Sequence, residues 1–175
     1  MRERLLDAWD NFWDVLRYGA WWQKLILLGV PAALIFVVFW FRPLPSEIPE
    51  KLAYLDQSAN SFYADGAASV MADLYYFEKL DGSRKPWKRD TWRDELKRRY
   101  QKIFDNGWTL KQTTSHRSFY WTGPFQLVET VAVHSLVTNG PKMVKDSKFR
   151  MAMTWTKTQH GWLVKEVRLL DGPRE

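Results

Sequence analysis

The sequence predicts an α+β fold, in which a single N-terminal transmembrane helix precedes a domain of three helices and a curved antiparallel sheet. Three observations lead to this class. An uncharged run fills Leu25–Phe41, apolar residues then recur at a period of about 3.6 up to Gly107, and a two-residue alternation takes over from Trp108. Because the helical patterns precede the strand patterns instead of alternating with them, we expect the helices to pack on one face of the sheet.

The first element is a helix over residues 21–42. Its uncharged run of seventeen residues spans roughly 25 Å at about 1.5 Å per residue, and the flanking residues extend it towards the ~30 Å of a hydrocarbon core. Side chains suited to the two membrane–water interfaces stand at its ends, namely Trp21, Trp22, Lys24, Trp40 and Arg42. The run therefore predicts a helix that crosses a membrane once.

A buried core helix and a cleaved signal peptide are the alternatives for this run. Acidic residues at Glu3, Asp7, Asp10 and Asp14 do not suit a signal peptide, and no small-residue cleavage site follows Trp40. An uncleaved anchor is favoured. Basic residues are more numerous before the span than after it, which predicts a cytoplasmic N-terminus and a periplasmic C-terminal domain in a bacterial inner membrane.

The anchor divides the chain into four parts. Residues 1–20 form a cytoplasmic amphipathic segment, and its acidic polar face favours a protein partner over anionic lipid. The transmembrane helix at 21–42 is followed by a proline-rich linker at 43–50, which we expect to be a stiff, extended spacer. Residues 51–175 form the periplasmic α+β domain, and roughly 125 residues suffice for one core.

Three helices are predicted at the start of this domain. The first covers about 50–66 and closes at Gly66, and the second covers about 67–77. The third begins near Asp90 and ends at Gly107, with a buried stripe that includes Trp92, Leu96 and Tyr100.

Four or five strands follow the helices. The segments are rich in β-branched and aromatic residues and are separated by turn signals: "WTLKQTTS", "RSFYW", "FQLVETVAVHSLVT", "KFRMAMTWTK" and "WLVKEVRLL". In the fourth segment Phe149, Met151, Met153 and Trp155 share one face, which is typical of a half-buried antiparallel strand.

Positive charge is concentrated on the third helix and the residues before it. Nine basic residues and three acidic residues lie between Arg84 and Lys102, an excess that equals the net charge of +6 of the whole chain. One interpretation is a solvated face with Asp94–Arg98 and Glu95–Arg99 pairs. The others are an acidic protein partner, anionic headgroups or nucleic acid. The residues predicted to bind a partner are Arg93, Lys97, Arg98, Arg99 and Lys102.

No direct contact with nucleic acid is predicted, because Trp92 and Tyr100 fall on the buried stripe and leave no aromatic residue among the exposed basic ones. The protein partner and the membrane surface are the favoured interpretations of the basic helix.

Catalysis has one candidate residue. Glu129 shares strand parity with Leu127 and Val131 and therefore points towards an apolar face, near Trp155 if a pocket is present. A structural carboxylate paired with a neighbour such as Arg168 is the favoured interpretation. His134 is read as a hydrogen-bonded structural residue.

Cofactor sites are not indicated by the sequence. The chain has three histidines and no cysteine, and it shows no metal-ligand spacing, P-loop or dinucleotide fingerprint. We therefore predict no cofactor, no metal and no enzymatic activity.

The order of helices and long strands, ending in "MTWTKTQHGWLVKEVRLLDG", resembles the nuclear transport factor two-like (cystatin-like) fold over roughly residues 50–172. With its N-terminal segment, membrane helix and proline linker, the layout is similar to the VirB-eight-like inner-membrane scaffold family of type IV secretion and conjugation systems. That resemblance implies a bitopic assembly component whose periplasmic domain self-associates and contacts other envelope proteins of a transfer complex. The alternative is a membrane-tethered protein of the same fold that binds or transforms a small ligand near Glu129 and Trp155.

Overall fold

The structure is a computed structural model that describes residues 12–40 and 42–172, without the side chains of Phe36, Phe39 and Trp40. The chain divides after Pro43 into two compact units, of which the second begins at Leu44. Most of the predicted amphipathic segment, residues 1–11, lies outside the described residues, as does the side chain of the predicted interface residue Trp40.

The N-terminal unit is helical. Residues 12–18 form helix α1, and helix α2 extends over Trp21–Trp40 with Pro31 inside it. Trp21 and Trp22 are exposed, Lys24 is half-buried and Arg42 is exposed. Among the described residues no helix is both long and apolar enough to cross a membrane, so the predicted transmembrane helix is not confirmed.

The second unit consists of three helices and six strands. Its elements, in chain order, are α3 (Glu47–Asn60), α4 (Ala64–Ser69), β1 (Met71–Glu78), β2 (Arg84–Lys88), α5 (Arg89–Asp105), β3 (Thr109–Gly123), β4 (Gln126–Asn139), β5 (Lys142–Thr158) and β6 (Gly161–Asp171). The third predicted helix is confirmed as α5, although Lys88, and not Asp90, is its N-cap.

All six strands form one sheet in the order β2-β1-β6-β5-β4-β3. The four long strands from β3 to β6 are a meander of antiparallel hairpins, whereas β1 runs parallel to β6 and antiparallel to β2. The sheet therefore has two free edges, at β2 and β3. Pro86 lies in β2, where a residue without an N–H group is tolerated because the strand is at the edge.

Helix α3 crosses the inner face of the sheet from one end to the other. At its start Glu47 accepts a hydrogen bond of 3.2 Å from the Trp162 backbone N–H, near the turn between β5 and β6. At its end the Asn60 amide donates to the Gln112 carbonyl at 3.0 Å and accepts from the Gln112 N–H at 2.8 Å, on the free edge of β3. Between these points Ile48 and Leu52 are buried against the sheet.

The segment predicted as a proline linker is in part structured. Helix α3 begins at Glu47, inside that segment, and Ile48 is completely buried. Leu44 also packs against the core. The apolar residues between the prolines attach this stretch to the domain, so the extended spacer predicted to reach residue 50 ends before Leu44.

The second predicted helix is wrong for most of its length. Helix α4 has six residues and encloses Gly66, which was predicted to end the preceding helix. Residues from Met71 onwards form strand β1 instead. Aromatic residues such as Tyr75 and Tyr76 favour a strand, and pairing with β2 on one side and β6 on the other satisfies the backbone hydrogen bonds of this strand.

Candidate functional site

The inner face of the sheet carries one cluster of charged residues inside an apolar core. Glu129 on β4 lies on the same face as Leu127 and Val131, as the sequence predicted, and it is completely buried. Trp155 on the neighbouring strand β5 is completely buried as well. Two residues that the sequence reading missed, Arg117 on β3 and Asp56 on α3, complete the cluster.

A β-bulge brings Arg117 to this face. The register of β3 against β4 shifts between Ser115 and Ser118, and His116 in the bulge has a positive φ of 51°. Before the bulge the even-numbered residues of β3 are the more buried ones, and after it the odd-numbered ones are. Without this extra residue Arg117 would point to the outer face, because side chains alternate along a strand.

The cluster is a continuous chain of polar contacts. The Trp155 indole N–H donates to Glu129 Oε2 at 2.9 Å, and Arg117 Nε lies 3.0 Å from Glu129 Oε1. The terminal nitrogen of the same guanidinium donates to both oxygens of Asp56, at 3.0 and 3.2 Å. Arg117 is thus held between a buried carboxylate and a half-buried one.

The contact between Arg117 and Glu129 is an ion pair with poor hydrogen-bond alignment. The two atoms are within 3.0 Å, yet the N–H direction leaves both Arg117 Nε and Glu129 Oε1 without an aligned hydrogen bond. Burial raises the pKa of Glu129, and this effect exceeds the opposing effects of the Trp155 hydrogen bond and the Arg117 charge. Of the two carboxylate oxygens of Glu129, Oε2 therefore accepts an aligned hydrogen bond and Oε1 does not.

This arrangement links the strands to helix α3 and keeps Glu129 away from solvent. Glu129, the single candidate for acid–base chemistry, has no exposed surface, and its two oxygens face Trp155 and Arg117. Among residues 12–40 and 42–172, no group of histidines and carboxylates is placed to hold a metal ion. The geometry is that of a structural polar network in a core.

The sequence predicted a partner for Glu129 and a hydrogen-bonded His134, and only the second prediction is confirmed. The proposed pairing of Glu129 with Arg168 is wrong, because Arg168 lies on β6 and its Nε contacts Glu78 at 3.2 Å. The bulge supplies Arg117 in its place. His134 is hydrogen-bonded as expected, since its Nε2 lies 2.7 Å from Asp146 Oδ1 across the β4–β5 hairpin.

The basic residues of α5 are largely paired with acidic neighbours. Glu95 contacts Arg98 at 2.6 Å and Arg99 at 2.8 Å, which confirms the expected Glu95–Arg99 pair. Lys97 lies 3.1 Å from Asp65 on α4.

Arg93 contacts three carboxylates, those of Asp65, Asp90 and Asp94. Lys102 is exposed and has no ion pair among the described residues. Of the five residues predicted to bind a partner, four are therefore partly neutralised within the domain.

A shallow cleft of about 210 Å³ lies between α4 and α5. Its charged lining is internally paired, because Arg93 contacts Asp90 at 2.9 Å and Arg89 contacts Asp73 at 2.7 Å. The cleft is small and exposed, and its arginines are occupied by the domain's own carboxylates.

Comparisons with known proteins identify the fold. The sequence matches no protein-family model. No curated protein matches it either. Among solved structures, it is similar to an NTF2-like protein with a cystatin-like fold from Novosphingobium aromaticivorans, with a TM-score of 0.58, 14% identity, and 82% of this chain and 90% of that chain covered.

Two further structures agree with this assignment. An NTF2-like protein of unknown function from Pseudomonas putida has a TM-score of 0.56 at 10% identity, over 71% of this chain and 83% of its own. An uncharacterized protein with a cystatin-like fold from Caulobacter vibrioides has a TM-score of 0.55 at 12% identity, over 71% and 87%. The chain therefore has the NTF2-like, cystatin-like fold that the sequence pattern resembled. These similar structures indicate the fold and do not assign a function to this chain.

Proposed function

We propose that this protein is a non-catalytic, membrane-anchored assembly component, whose NTF2-like domain acts through contacts with other proteins. The observation that carries the proposal is the state of Glu129. The carboxylate is completely buried, and its two oxygens face Trp155 and Arg117, so no substrate can reach it without unpacking the core. A domain of this kind has its surface, and not its interior, available for function.

Membrane attachment is supported by the sequence. The uncharged run Leu25–Phe41 lies between Lys24 and Arg42, and tryptophans stand at both of its ends. We propose that this run anchors the protein in a bacterial inner membrane and that the domain beginning at Leu44 faces the periplasm.

The machine that we propose is a type IV secretion or conjugative transfer channel. The layout of a short N-terminal segment, an apolar run, a short proline-bearing connection and an NTF2-like domain supports this assignment by its similarity to the VirB-eight-like scaffold family. In such a role the domain self-associates and contacts other envelope proteins.

The alternative is a small-ligand pocket lined by Glu129 and Trp155. It requires Arg117 to leave the ion pair with Glu129, because the guanidinium occupies the space in front of that carboxylate. A ligand that bound there would have to replace the charge of Arg117, and an uncharged hydrophobic ligand would leave Glu129 buried and unpaired.

Affinity purification of the full chain from detergent-extracted membranes tests the proposal. We expect it to co-purify with other envelope proteins or as an oligomer. The variant Glu129→Gln is the matched comparison, since it removes the carboxylate and keeps the side-chain shape. An assembly component retains its partners in this variant if the domain stays folded, whereas recovery of a lone wild-type monomer would contradict the proposed function.

A further inference from the structure

Four exposed lysines lie near one another at one end of the sheet. We define the basic tip as Lys102, Lys111, Lys142, Met143, Val144 and Lys145. The four lysines are exposed, and none of them has an ion pair among the described residues. The arginines of α5 differ in this respect, because Arg93, Arg98 and Arg99 contact carboxylates of the domain.

The register of the strands brings the tip together. Thr109, the first residue of β3 after α5, pairs with Thr138 on β4, and Thr138 pairs with Met143 on β5. The end of α5 that carries Lys102 therefore lies at the same end of the sheet as the β4–β5 hairpin. Acidic residues there are engaged already: Asp146 contacts His134 at 2.7 Å, and Asp105 accepts a hydrogen bond of 2.6 Å from Gln101.

The centre of the tip is apolar. Met143 is 61% exposed and Val144 is 39% exposed, between Lys142 and Lys145 in the sequence. Phe104, near the end of α5, is 77% exposed. Apolar side chains surrounded by unpaired charges are the composition of a protein interaction site, with a desolvated centre and a polar rim.

The position of the tip bears on what binds it. The chain enters the domain at Leu44, and Glu47 contacts Lys157 at 2.7 Å beside the β5–β6 turn. That turn and the β4–β5 hairpin are at opposite ends of β5, whose seventeen residues extend over roughly 50 Å. The tip is thus at the end of the domain remote from its point of attachment.

We propose that the basic tip is the docking surface for an acidic protein partner. This inference rests on the proposed function and specifies the surface that the assembly uses. The exposed apolar side chains among the lysines favour a protein surface over a lipid headgroup as the ligand of the tip. Phe104 is one exposed ring beside the tip, whereas Met143 and Val144 of the hairpin are aliphatic and offer no platform on which successive nucleic-acid bases stack. Uncompensated lysines attract and orient an acidic surface over a long range.

A fluorescent probe at the tip tests the inference. The chain contains no cysteine, so the variant Met143→Cys can be labelled at one site with an environment-sensitive dye. The full chain is held in neutral phosphatidylcholine nanodiscs and titrated with a peptide of alternating glutamate and leucine. Parallel samples receive a single-stranded oligonucleotide, or are prepared with phosphatidylglycerol in the nanodisc.

We expect the dye to respond to the acidic peptide and the response to weaken with salt. Lys142→Glu/Lys145→Glu should weaken the affinity by about tenfold or more, because two attractive charges become repulsive. The matched control is Lys85→Glu/Lys88→Glu on the opposite edge strand, which should leave the affinity unchanged. A response to the oligonucleotide or to phosphatidylglycerol without one to the peptide would overturn the inference, as would equal losses in both double variants.

The same variants separate this inference from the proposed function. If the wild-type chain co-purifies with partners and Lys142→Glu/Lys145→Glu recovers them equally well, the docking surface is wrong and the assembly role stands. If the wild-type chain is recovered alone, the assembly role itself fails. The thermal midpoint of each variant shows that it is folded, since exposed lysines contribute little to stability. Val144→Ser serves as a second tip variant that leaves both the charge and the labelling site at residue 143 unchanged, and it should also weaken peptide binding.

Discussion

Trp155 donates its indole N–H to Glu129 at 2.9 Å, and both side chains are completely excluded from solvent. The bond joins strands β5 and β4 in the middle of the inner face, where helix α3 covers the sheet. Arg117 and Asp56 extend the network to β3 and to α3 itself. Glu129, the one candidate for a catalytic acid in the sequence, therefore belongs to a network that links the sheet to helix α3.

Removal of one partner from this network should be costly. In Arg117→Met the buried carboxylate of Glu129 loses its cation, and we expect the free energy of unfolding to fall by about 3 kcal/mol. Trp155→Phe removes one hydrogen-bond donor and should cost about 1–3 kcal/mol. Urea denaturation monitored by circular dichroism measures both changes.

The double variant Arg117→Met/Glu129→Gln provides the control. It removes both charges, so its loss of unfolding free energy should be smaller than the sum of the losses in Arg117→Met alone and Glu129→Gln alone, by more than about 0.5 kcal/mol. Strict additivity would contradict the claim that these two residues interact in the core.

The buried carboxylate also predicts a pH dependence. Burial raises the pKa of Glu129 above its ordinary value, so the folded chain holds this proton more tightly than the unfolded chain. Stability from this group is fully present below the unfolded pKa and is lost as the pH rises through the folded pKa.

Glu129→Gln does not titrate at this position and isolates the effect. The free energy of unfolding of the variant, minus that of the wild type, should increase as the pH rises from the unfolded pKa of Glu129 through its raised folded pKa. Carboxylates with lowered pKa, such as Glu47 and Glu95, titrate equally in both proteins and cancel in the difference. If the difference is flat or falls with pH, the ion pair with Arg117 lowers the pKa of Glu129 by at least as much as burial raises it, which would contradict the prediction.

Asn60 protects the free edge of the sheet. Its amide satisfies both the N–H and the carbonyl of Gln112 in β3, groups that would otherwise offer a site for another strand. In Asn60→Ala we expect faster hydrogen exchange at the Gln112 amide and concentration-dependent association in size-exclusion chromatography. Asn106→Ala, which removes a bond of 2.7 Å to the end of α5, is the matched control and should leave both readouts near the wild type.

The arginines of α5 remain a second predicted contact surface. Reversal of charge at Arg98 and Arg99 breaks two exposed ion pairs with Glu95, and because exposed pairs contribute little to stability we expect only a small loss. If α5 contributes to assembly, complex recovery from membranes should fall in this variant while the thermal midpoint changes little. If recovery is unchanged, the arginines of α5 do not contribute to assembly, and the basic tip remains the proposed contact surface.

Local patterns in the sequence predicted the elements whose pairing is local. Helix α5 has a clear apolar stripe, and β4 and β5 show a two-residue alternation, so Glu129 and Trp155 were correctly placed on the buried face. Strand β1 was missed although its partner β2 follows it directly in the chain; its second partner, β6, lies far along the chain, and no pattern within Met71–Glu78 reports on that pairing.

The missing half of the candidate site has a similar cause. Residues of β3 change parity between Thr114 and Arg117, and this change was read as a break between two strands instead of a bulge within one. A bulge preserves the strand and reverses the faces, so the change of parity was the signal that would have placed Arg117 beside Glu129. Asp56 lies four residues after Leu52 and three before Ala59, on the apolar side of the predicted helix pattern, but its contact with Arg117 depends on how α3 crosses the sheet.

The most direct test of the central claim is the mass of the full chain in its native lipid environment. Membranes are extracted with a nanodisc-forming polymer, and the particles that contain the tagged protein are weighed by mass photometry before and after removal of lipid. An assembly component predicts that each particle holds more than one polypeptide, and that the Glu129→Gln variant gives the same mass. A single chain per particle, in the wild type and the variant alike, would contradict the account.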